Sequence, residues 1–299
     1  MNINGNTRLL GVIGNPVEHT MSPVIHNNLA DILGDNFAYA PFRVEKENVG
    51  DAVRGAYALN MLGMNVTVPH KSAVIPFLKE IDPLAERIGA VNTLVRCEGG
   101  FKGYNTDMPG LLRAMKYDGV DFAGEDVIIL GAGGVARAVA MMLLENGAGH
   151  IYILNRSVEK AKAIADELNG LHNSVSYHDL QSYVNLPDKK YIVIQATSVG
   201  MLPNTEEAVI EEEKFYGMVS VGYDIVFNPL ETKFMKLCKR AGAEAFGGLR
   251  MLLYQGIIAY ELWKSSMACP GEGASSVTVS DDIAERIYDM MISAMQANR

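Results

Sequence analysis

Residues 126–137 read Asp-Val-Ile-Ile-Leu-Gly-Ala-Gly-Gly-Val-Ala-Arg, an apolar run followed directly by a glycine cluster. The pattern predicts a strand, a tight turn and the N-terminus of a helix, which together form a dinucleotide-binding turn. Gly131 would make the turn, and Gly133 would let the backbone approach a pyrophosphate. Ala136 would let the helix pack closely on the strand. The free N–H groups at the start of that helix would then bind the phosphates.

The flanking sequence strengthens this interpretation, because a glycine turn alone is common between strands and helices. A helical pattern from Val135 to Glu145 carries apolar residues on one face and ends near Gly147. A second apolar stretch, His150 to Leu154, follows at the spacing of a strand–helix–strand unit. The combination favours nucleotide binding over an ordinary connection.

The end of that second strand indicates which nucleotide binds. An NAD site usually has an acidic residue there to bind the ribose hydroxyls. This chain has Asn155, Arg156 and Ser157 instead, with Lys160 one turn later. The Arg156 guanidinium can bind a 2′-phosphate through paired charge-assisted hydrogen bonds. The sequence therefore predicts NADP as the cofactor, and the alternative is a solvated basic start of a helix.

Composition limits the class of protein. The chain has 299 residues, of which 48% are hydrophobic, enough for two cores of ordinary size. A net charge of −9 without a basic stripe argues against nucleic-acid binding. Cys97, Cys238 and Cys269 are far apart, and the histidines show no ligand spacing, so we expect no metal and a reducing, cytoplasmic location. No signal peptide or membrane-spanning stretch is visible, and we expect no membrane association.

Strands and helices alternate along the first part of the chain, which predicts an α/β domain with a mostly parallel sheet. Ser22 is expected to cap the first helix, which should end at Gly34. Residues 270–276 form a Pro/Gly/Ser linker between two C-terminal helices. The other expected strands are Arg8 to Ile13, Phe37 to Val44, Met64 to Val68, Tyr191 to Ala196 and Met218 to Asp224.

Two polar loops follow expected strands of this first domain. One places Lys71 just past a strand end, and the other places Asp107 at the start of a helix. Binding residues collect at the carboxyl ends of strands in such folds. Each residue also has an ordinary interpretation, however: Lys71 as a surface lysine and Asp107 as a helix N-cap.

A series of short motifs occurs in a fixed order along the chain. They are Gly14-x-Pro16-x-x-His19-Thr20-x-Ser22-Pro23-x-x-His26-Asn27, Asn65-Val66-Thr67-x-Pro69-x-Lys71, Ala90-Val91-Asn92-Thr93, Gly103-Tyr104-Asn105-Thr106-Asp107, Gly131-Ala132-Gly133-Gly134-x-Ala136-Arg137, Asn155-Arg156, Ala196-Thr197-Ser198-x-Gly200-Met201 and Met251-Leu252-x-x-Gln255. Each is modest, but the ordered set resembles the shikimate dehydrogenase family over nearly the whole chain.

The resemblance implies NADP-linked interconversion of 3-dehydroshikimate and shikimate, with Lys71 and Asp107 as the catalytic acid–base pair. The positions that it implies for substrate binding are Thr20, Ser22, Asn65, Thr67, Asn92 and Gln255. The cofactor positions are Gly131, Ala132, Gly133, Gly134, Val135, Ala136, Asn155, Arg156, Ser157, Lys160, Thr197, Gly248 and Met251.

The resemblance also implies two α/β domains. Residues 1–107 and 249–299 would form the substrate-binding and catalytic domain, to which the C-terminal helices return. Residues 108–248 would form a Rossmann-type NADP-binding domain. Expected partners are the small-molecule substrate, with no nucleic acid and no membrane, and the protein is expected to be a monomer or homodimer.

The chain departs from the usual family pattern at four positions. Thr20 replaces serine, Gln195 replaces asparagine, Phe227 replaces tyrosine, and Arg250 stands where glycine is common. Three of them, Thr20, Phe227 and Arg250, leave a quinate or dual quinate/shikimate dehydrogenase as the nearest alternative. A catalytically silent ligand sensor of the same fold is a second alternative, which the presence of both Lys71 and Asp107 disfavours.

Overall fold

The computed structural model describes residues 3–170, 172–267 and 277–297, and it divides into two compact units. Unit 1 comprises Met1–Gly110 and Leu253–Arg299, and unit 2 comprises Leu111–Leu252. Each unit contains a six-stranded sheet with helices, so the predicted α/β class is confirmed. Cys269 and the 270–276 linker lie outside the described residues.

The elements are numbered in chain order. They are β1 (Arg8–Gly14), α1 (Ser22–Leu33), β2 (Phe37–Arg43), α2 (Val49–Ala58), β3 (Gly63–Val66), β4 (Glu80–Ile81), α3 (Pro83–Ile88), β5 (Thr93–Cys97), β6 (Gly100–Tyr104), α4 (Asp107–Tyr117), β7 (Val127–Leu130), α5 (Gly134–Glu145), β8 (Ile151–Leu154), α6 (Val158–Asn169), β9 (Val175–His178), β10 (Tyr191–Gln195), α7 (Glu213–Tyr216), β11 (Val219–Asp224), α8 (Lys233–Arg240), β12 (Glu244–Phe246), α9 (Leu249–Ser265) and α10 (Asp281–Ala297). Short 3₁₀ helices occupy Lys46–Asn48, Ile75–Phe77 and Leu180–Asn185.

The unit 1 sheet has the strand order β2-β1-β3-β5-β6-β4. β1 is parallel to β2 and β3, and β4 is parallel to β6, whereas β5 is antiparallel to both of its neighbours. This β5–β6 hairpin has a functional consequence. Because β5 runs in the opposite direction, its first residue lies at the sheet edge where β3 and β6 end. Three separate polar segments therefore meet at one edge.

The start of α1 differs from the prediction. The helix begins at Ser22, and its N-cap is Met21, which makes no side-chain capping hydrogen bond. Ser22 was expected at the cap because serine oxygen accepts well from helix N–H groups. Instead, the Ser22 backbone N–H donates to the Thr20 hydroxyl, at 3.3 Å, and the helix starts one residue earlier. Gly34 ends α1 as predicted, in a left-handed conformation with φ of 70°.

The C-terminal helix α9 is tied to the unit 1 sheet by a buried tryptophan. The indole N–H of Trp263 donates to the Leu94 carbonyl at 2.8 Å. Its ring fills the space above Gly63, where an added Cβ would lie 2.1 Å from the indole nitrogen. The ring therefore requires glycine at position 63. Trp263 itself is fully buried, so the part of α9 that belongs to unit 1 contributes to the core of that unit.

The unit 2 sheet has the order β12-β11-β10-β7-β8-β9, and all of its strand pairs are parallel. β7, the strand of the glycine motif, lies centrally beside β10, and chain order reverses between these two strands. Ligands of open parallel sheets bind where the order reverses, at the carboxyl ends of the strands. In this sheet that place is formed by the residues after Leu130 and Gln195.

Every helix within residues 3–170, 172–267 and 277–297 is too short or too polar to cross a bilayer.

Candidate active site

Lys71 and Asp107 form an ion pair at the polar edge of the unit 1 sheet. The Lys71 Nζ lies 2.7 Å from Asp107 Oδ2. The two side chains are 31% and 20% exposed, so both are shielded from water but remain reachable by a small molecule. Lys71 follows the loop after β3, and Asp107 follows β6. The antiparallel hairpin described above accounts for their meeting.

The carboxylate of Asp107 is not used as a helix cap. Asn105 supplies that function, since its Oδ1 accepts from the backbone N–H groups of Asp107, at 3.1 Å, and Met108, at 3.4 Å. The ordinary interpretation of Asp107 as an N-cap is therefore wrong. Its side chain is left available for Lys71.

Asn92 connects this ion pair to the buried part of the sheet. Its Nδ2 donates to Asp107 Oδ1 and to Thr106 Oγ1, both at 2.9 Å. Its Oδ1 accepts from the Thr106 backbone N–H at 2.8 Å. Gln255 lies beside the same amide, with Oε1 3.4 Å from Asn92 Nδ2. Both oxygens of Asp107 are thus engaged, one by an amide and one by an ammonium.

Asn65 lies deeper in the same edge. Its Nδ2 donates to the Asn92 carbonyl at 3.2 Å and to Thr93 Oγ1 at 3.1 Å. Its Oδ1 accepts from the Tyr39 hydroxyl at 2.6 Å. Burial raises the pKa of Tyr39 well above its ordinary value, although a hydrogen bond from Ser22 acts in the opposite direction. Tyr39 therefore keeps its proton and acts as a donor.

His26 supports Tyr39 by packing rather than by charge. Its ring stacks on the Tyr39 ring, with centroids 4.3 Å apart, and also contacts Trp263 at 4.9 Å. Burial lowers the pKa of His26 to about 3, so the imidazole is neutral at physiological pH. This motif histidine is consequently an aromatic core residue.

The remaining predicted substrate residues lie at the carboxyl ends of β1 and β3. The Thr20 hydroxyl is 3.2 Å from the Ser22 hydroxyl, which places two donors together. Thr67 is half-buried, and its backbone N–H donates to the Ile13 carbonyl at 2.9 Å. The structure brings Lys71, Asp107, Asn92 and Gln255 into one hydrogen-bonded group. Thr20 and Ser22 form a separate pair, and Ser22 is hydrogen-bonded to Tyr39, whose hydroxyl donates to Asn65.

The glycine turn of unit 2 has the form that a pyrophosphate needs. Gly131 has φ of 119°, and a Cβ there would lie 2.8 Å from Thr197 Cγ2, so both conformation and space require glycine. Gly133 is the N-cap of α5 and has no side-chain cap. Added Cβ atoms at Gly133 or Gly134 would meet nothing within 4 Å.

The start of α5 is therefore open to a ligand. Gly133, Gly134 and Val135 are exposed, whereas Ala136 is buried against the sheet and Ala132 is half-buried. The first N–H groups of a helix have no partner inside the helix, and they attract anions. The residues present thus fit a dinucleotide phosphate.

The segment after β8 carries two cations. Arg156 and Lys160 are exposed, and neither has an ion-pair partner within the part of the chain that the structure describes. Asn155 Nδ2 donates to the Ser157 carbonyl at 2.9 Å, which shapes the turn. The Ser157 hydroxyl is 3.2 Å from Glu159 Oε2 and is less available. The unpaired guanidinium of Arg156 fits the extra phosphate that distinguishes NADP from NAD.

A buried polar cluster, comprising Gln195, Thr197, Asp224 and Thr232, shapes the turn after β10. Gln195 Oε1 accepts from the Thr197 N–H and hydroxyl, both at 2.6 Å. Gln195 Nε2 donates to Asp224 Oδ1 at 3.0 Å, and the Thr232 hydroxyl donates to Asp224 Oδ2 at 2.6 Å. Burial raises the pKa of Asp224 to about 6, although these donors and the Val226 N–H oppose the shift. Thr197 is thereby fixed beside Gly131.

The other cofactor positions lie at the end of unit 2. The Gly248 N–H donates to the Val226 carbonyl at 3.0 Å, which places Gly248 against the segment after β11. Met251 is half-buried in the first turn of α9. In the described ranges, no three His, Cys, Asp or Glu side chains come together as a metal ion would require.

Two family models match the chain. One, described as the shikimate dehydrogenase substrate binding domain, matches residues 12–94, and one described as shikimate / quinate 5-dehydrogenase matches residues 113–221. A curated shikimate dehydrogenase (NADP(+)) of Carboxydothermus hydrogenoformans is 42% identical over 271 residues, which cover 88% of this chain and 94% of that protein. The chain belongs to the shikimate dehydrogenase family.

Solved structures of the family have the same fold. A crystal structure of a shikimate dehydrogenase in complex with NADP⁺ is 36% identical, with a TM-score of 0.85 over 98% of this chain and 97% of that one. Another, from Thermus thermophilus in complex with NADP(H) and shikimate, is 29% identical, with a TM-score of 0.80 over 95% of this chain and 100% of that one. The predicted family and fold are confirmed.

The departures from the family pattern have identifiable surroundings. Gln195 is the centre of the buried polar cluster described above. Arg250 Nε is 3.1 Å from Asp118 Oδ1, and its guanidinium lies 4.2 Å from the Tyr117 ring centroid. The Arg250 side chain is therefore engaged within unit 2. Phe227 is half-buried after β11.

Sequence reasoning missed three residues of the unit 1 network. Tyr39 is predicted only as part of a strand, while Thr93 and Thr106 occur in motifs without an assigned role. Each bonds to a site residue that is distant in sequence or hidden by strand pairing. The signal that could have identified the two threonines is a polar side chain in an otherwise apolar, buried strand end.

Proposed function

We propose that this protein interconverts 3-dehydroshikimate and shikimate with NADP(H), and that Lys71 and Asp107 form its acid–base pair. Family membership confirms the predicted enzyme class and cofactor, since the curated relatives carry the name shikimate dehydrogenase (NADP(+)). The assignment of the pair rests on one observation. The Lys71 ammonium is held 2.7 Å from one oxygen of Asp107, while Asn92 holds the other oxygen.

The chemistry follows from these contacts. NADPH, when bound, supplies the hydride that reduces the ketone carbon. Charge then develops on the ketone oxygen, and Lys71 neutralises it by donating a proton to that oxygen. Asp107 orients the ammonium group and offsets its charge. In the oxidative direction the same step runs in reverse: the amine form of Lys71 accepts the hydroxyl proton and becomes the ammonium again.

The other site residues bind and orient. The Thr20 and Ser22 hydroxyls are two adjacent donors that suit the substrate carboxylate. Asn65, Thr67, Asn92 and Gln255 would bind the substrate hydroxyls. In unit 2, the first N–H groups of α5 would bind the pyrophosphate, and Arg156 with Lys160 would bind the 2′-phosphate. Unit 1 would therefore serve the substrate, and unit 2 the cofactor.

A steady-state assay tests this proposal. The purified protein is given NADP⁺ with shikimate, and NADPH formation is followed by its absorbance. Parallel arms replace shikimate with quinate and NADP⁺ with NAD⁺. We expect the highest kcat/KM with shikimate and NADP⁺. No turnover in any arm, together with measurable shikimate binding, would overturn the enzyme in favour of a ligand sensor.

Quinate is the alternative substrate that this assay distinguishes. Thr20 adds a methyl group beside the proposed carboxylate donors, and quinate differs from shikimate near the carboxylate carbon. A higher kcat/KM with quinate would reassign the substrate while leaving the acid–base pair in place. Cytoplasmic location and a monomeric or homodimeric state stay predictions.

A further inference from the structure

Two buried threonine hydroxyls lie at the centre of the unit 1 network. Thr93 is 0% exposed and Thr106 is 1% exposed, and the side chains that their hydroxyls contact are themselves buried. Thr93 Oγ1 accepts from Asn65 Nδ2 and donates to Asn92 Oδ1, both at 3.1 Å. Thr106 Oγ1 accepts from Asn92 Nδ2 at 2.9 Å. Any effect of these hydroxyls on a reaction must therefore pass through the two asparagines.

Backbone groups fix the direction of these hydrogen bonds. The Thr106 N–H can only donate, so the Asn92 atom that it meets at 2.8 Å is Oδ1. The Asn92 carbonyl can only accept, so the Asn65 atom that it meets at 3.2 Å is Nδ2. It follows that Asn65 Oδ1 accepts from Tyr39, and that Asn92 Nδ2 faces Asp107.

The bonds thus form one chain in which every donor points towards Asp107. The order is Tyr39, Asn65, Thr93, Asn92 and Asp107. Hydrogen bonds aligned in one direction polarise one another in a buried setting. The two protons of Asn92 Nδ2 point to its two nearest acceptors, Thr106 Oγ1 and Asp107 Oδ1, both at 2.9 Å, and Gln255 Oε1 lies farther away at 3.4 Å. Because Oδ1 is occupied, Oδ2 is the oxygen left for the Lys71 ammonium.

We propose that Thr106 and Thr93 are positioning residues, whose hydroxyls hold Asn92 in the one orientation that sets Asp107 against Lys71. This inference rests on the proposed acid–base function of that pair. Thr106 has the larger share, because its hydroxyl accepts directly from the amide that binds Asp107. Thr93 has the smaller share, because Asn92 Oδ1 keeps the Thr106 N–H when the Thr93 hydroxyl is removed.

The test compares variants that differ by a hydroxyl or a methyl group. Thr106→Val keeps the side-chain shape, and Thr106→Ser keeps the hydroxyl. We expect Thr106→Val to lower kcat about three- to tenfold, the kinetic equivalent of one net hydrogen bond. The NADP⁺ KM should stay within about twofold, and the shikimate KM should change less than kcat, since Thr106 acts only through its bonds to Asn92. Thr106→Ser should recover most of the wild-type kcat.

Thr93→Val is the second variant and gives an independent measurement if Thr106→Val fails to fold. Its expected loss in kcat is smaller, about two- to threefold. In the Thr93→Val/Thr106→Val double variant, the losses should not multiply, because both hydroxyls act through Asn92. Circular dichroism and thermal unfolding establish that each variant tested is folded.

Three results would overturn the inference: wild-type kcat in both valine variants, Thr106→Ser as slow as Thr106→Val, or a rise in shikimate KM with kcat unchanged. Lys71→Ala, measured in parallel, separates this inference from the proposed function. If Lys71→Ala keeps wild-type kcat, the acid–base assignment itself fails. If Lys71→Ala is slow while both valine variants are normal, only the positioning role fails.

Discussion

The two candidate sites differ in what their polar groups contact. At the unit 1 edge, the amide and carboxylate side chains bind one another, and Asn92 and Asp107 have partners at each polar oxygen or nitrogen. At the unit 2 turn, the glycines leave open space and exposed backbone N–H groups, and the nearby Arg156 has no ion-pair partner among the described residues. Because of this difference, we expect substitutions in the two sites to change different measurable quantities. Unit 1 changes should alter turnover, whereas unit 2 turn changes should alter cofactor affinity.

The largest effect is expected at Lys71. Lys71→Ala removes the group that would donate the proton, so kcat should fall about 10²–10⁴-fold, the usual size of a positioned acid or base. Shikimate KM should change much less. Steady-state kinetics in both directions measure this. Lys46→Ala, an exposed lysine on unit 1, is the matched control and should keep wild-type kcat; equal values in the two variants would contradict the assignment.

The second-largest effect is expected at Asp224. This residue belongs to unit 2, but its carboxylate is buried, unlike the open glycine turn of that unit. Its pKa is about 6 in the folded protein, against an ordinary value of 3.8, because burial disfavours the charge. Between these two pH values the folded state holds a proton that the unfolded state has lost. Asp224 thus contributes stability at pH values below its pKa in the unfolded state, and this contribution is lost as the pH rises through its pKa in the folded state. The free energy of unfolding should fall by about 3 kcal/mol from this group.

Urea unfolding of the wild type and of Asp224→Asn measures this pH dependence. The asparagine does not titrate, so the difference in unfolding free energy between the two proteins isolates Asp224. That difference should shift in favour of the variant as pH rises from about 4 to about 7. A difference that stays constant across this window would show that burial does not perturb Asp224.

The third prediction concerns the affinity of unit 2 for the cofactor. Arg156→Asp replaces a guanidinium by a carboxylate that repels a 2′-phosphate. NADP⁺ affinity should weaken about ten- to a hundredfold, since a hydrogen bond to a charged group contributes about 1.5–3 kcal/mol. NAD⁺ affinity, measured by the same fluorescence titration, should not weaken. Arg240→Asp makes the same charge change at the end of α8 and should leave both affinities unaltered; a loss equal to that of Arg156→Asp would sink the NADP assignment.

The smallest effect is expected at Asn105. It tests whether this residue stabilises the start of α4 or takes part in catalysis. Asn105→Ala removes the side chain that caps α4, so the free energy of unfolding should fall by about 1 kcal/mol. Asn105→Ser keeps a capping oxygen and should lose less. Neither change removes the Lys71–Asp107 pair, and kcat should change far less than in Lys71→Ala. Thermal unfolding with parallel kinetics measures both quantities, and a large loss of kcat without loss of stability would reverse the roles.

Much of the fold followed from local sequence. The Val127–Leu130 strand, the glycine turn and the α5 helix are encoded within a short stretch, because turn geometry and helix periodicity are local properties. The order of the motifs predicted the family, which the comparisons confirmed. Strand ends were correct to within about one or two residues at β1, β2, β10 and β11, as expected where propensity decides a boundary.

What could not be predicted depends on contacts between distant residues. Asn105 and Asp107 are both residue types that can cap the start of α4, and the sequence alone does not decide which of them does so. Tyr39 bonds to Asn65 across 26 positions, and Arg250 pairs with Asp118 far earlier in the chain. The antiparallel β5–β6 hairpin brings Asn92 to the edge where Lys71 and Asp107 lie, whereas the alternation of strands and helices predicts a mostly parallel sheet.

The seating of Trp263 over Gly63 has a consequence for how the chain matures during synthesis. Unit 1 takes its sheet from the beginning of the polypeptide and its α9 residues from near the end. During synthesis, Gly63 is therefore left uncovered by Trp263 until residue 263 has been translated. Unit 2 is translated in the interval and can complete its own sheet first. A chain that ends before α9 would accordingly leave the Gly63 side of the first sheet exposed to chaperones and proteases, whereas all six strands of unit 2 would be present.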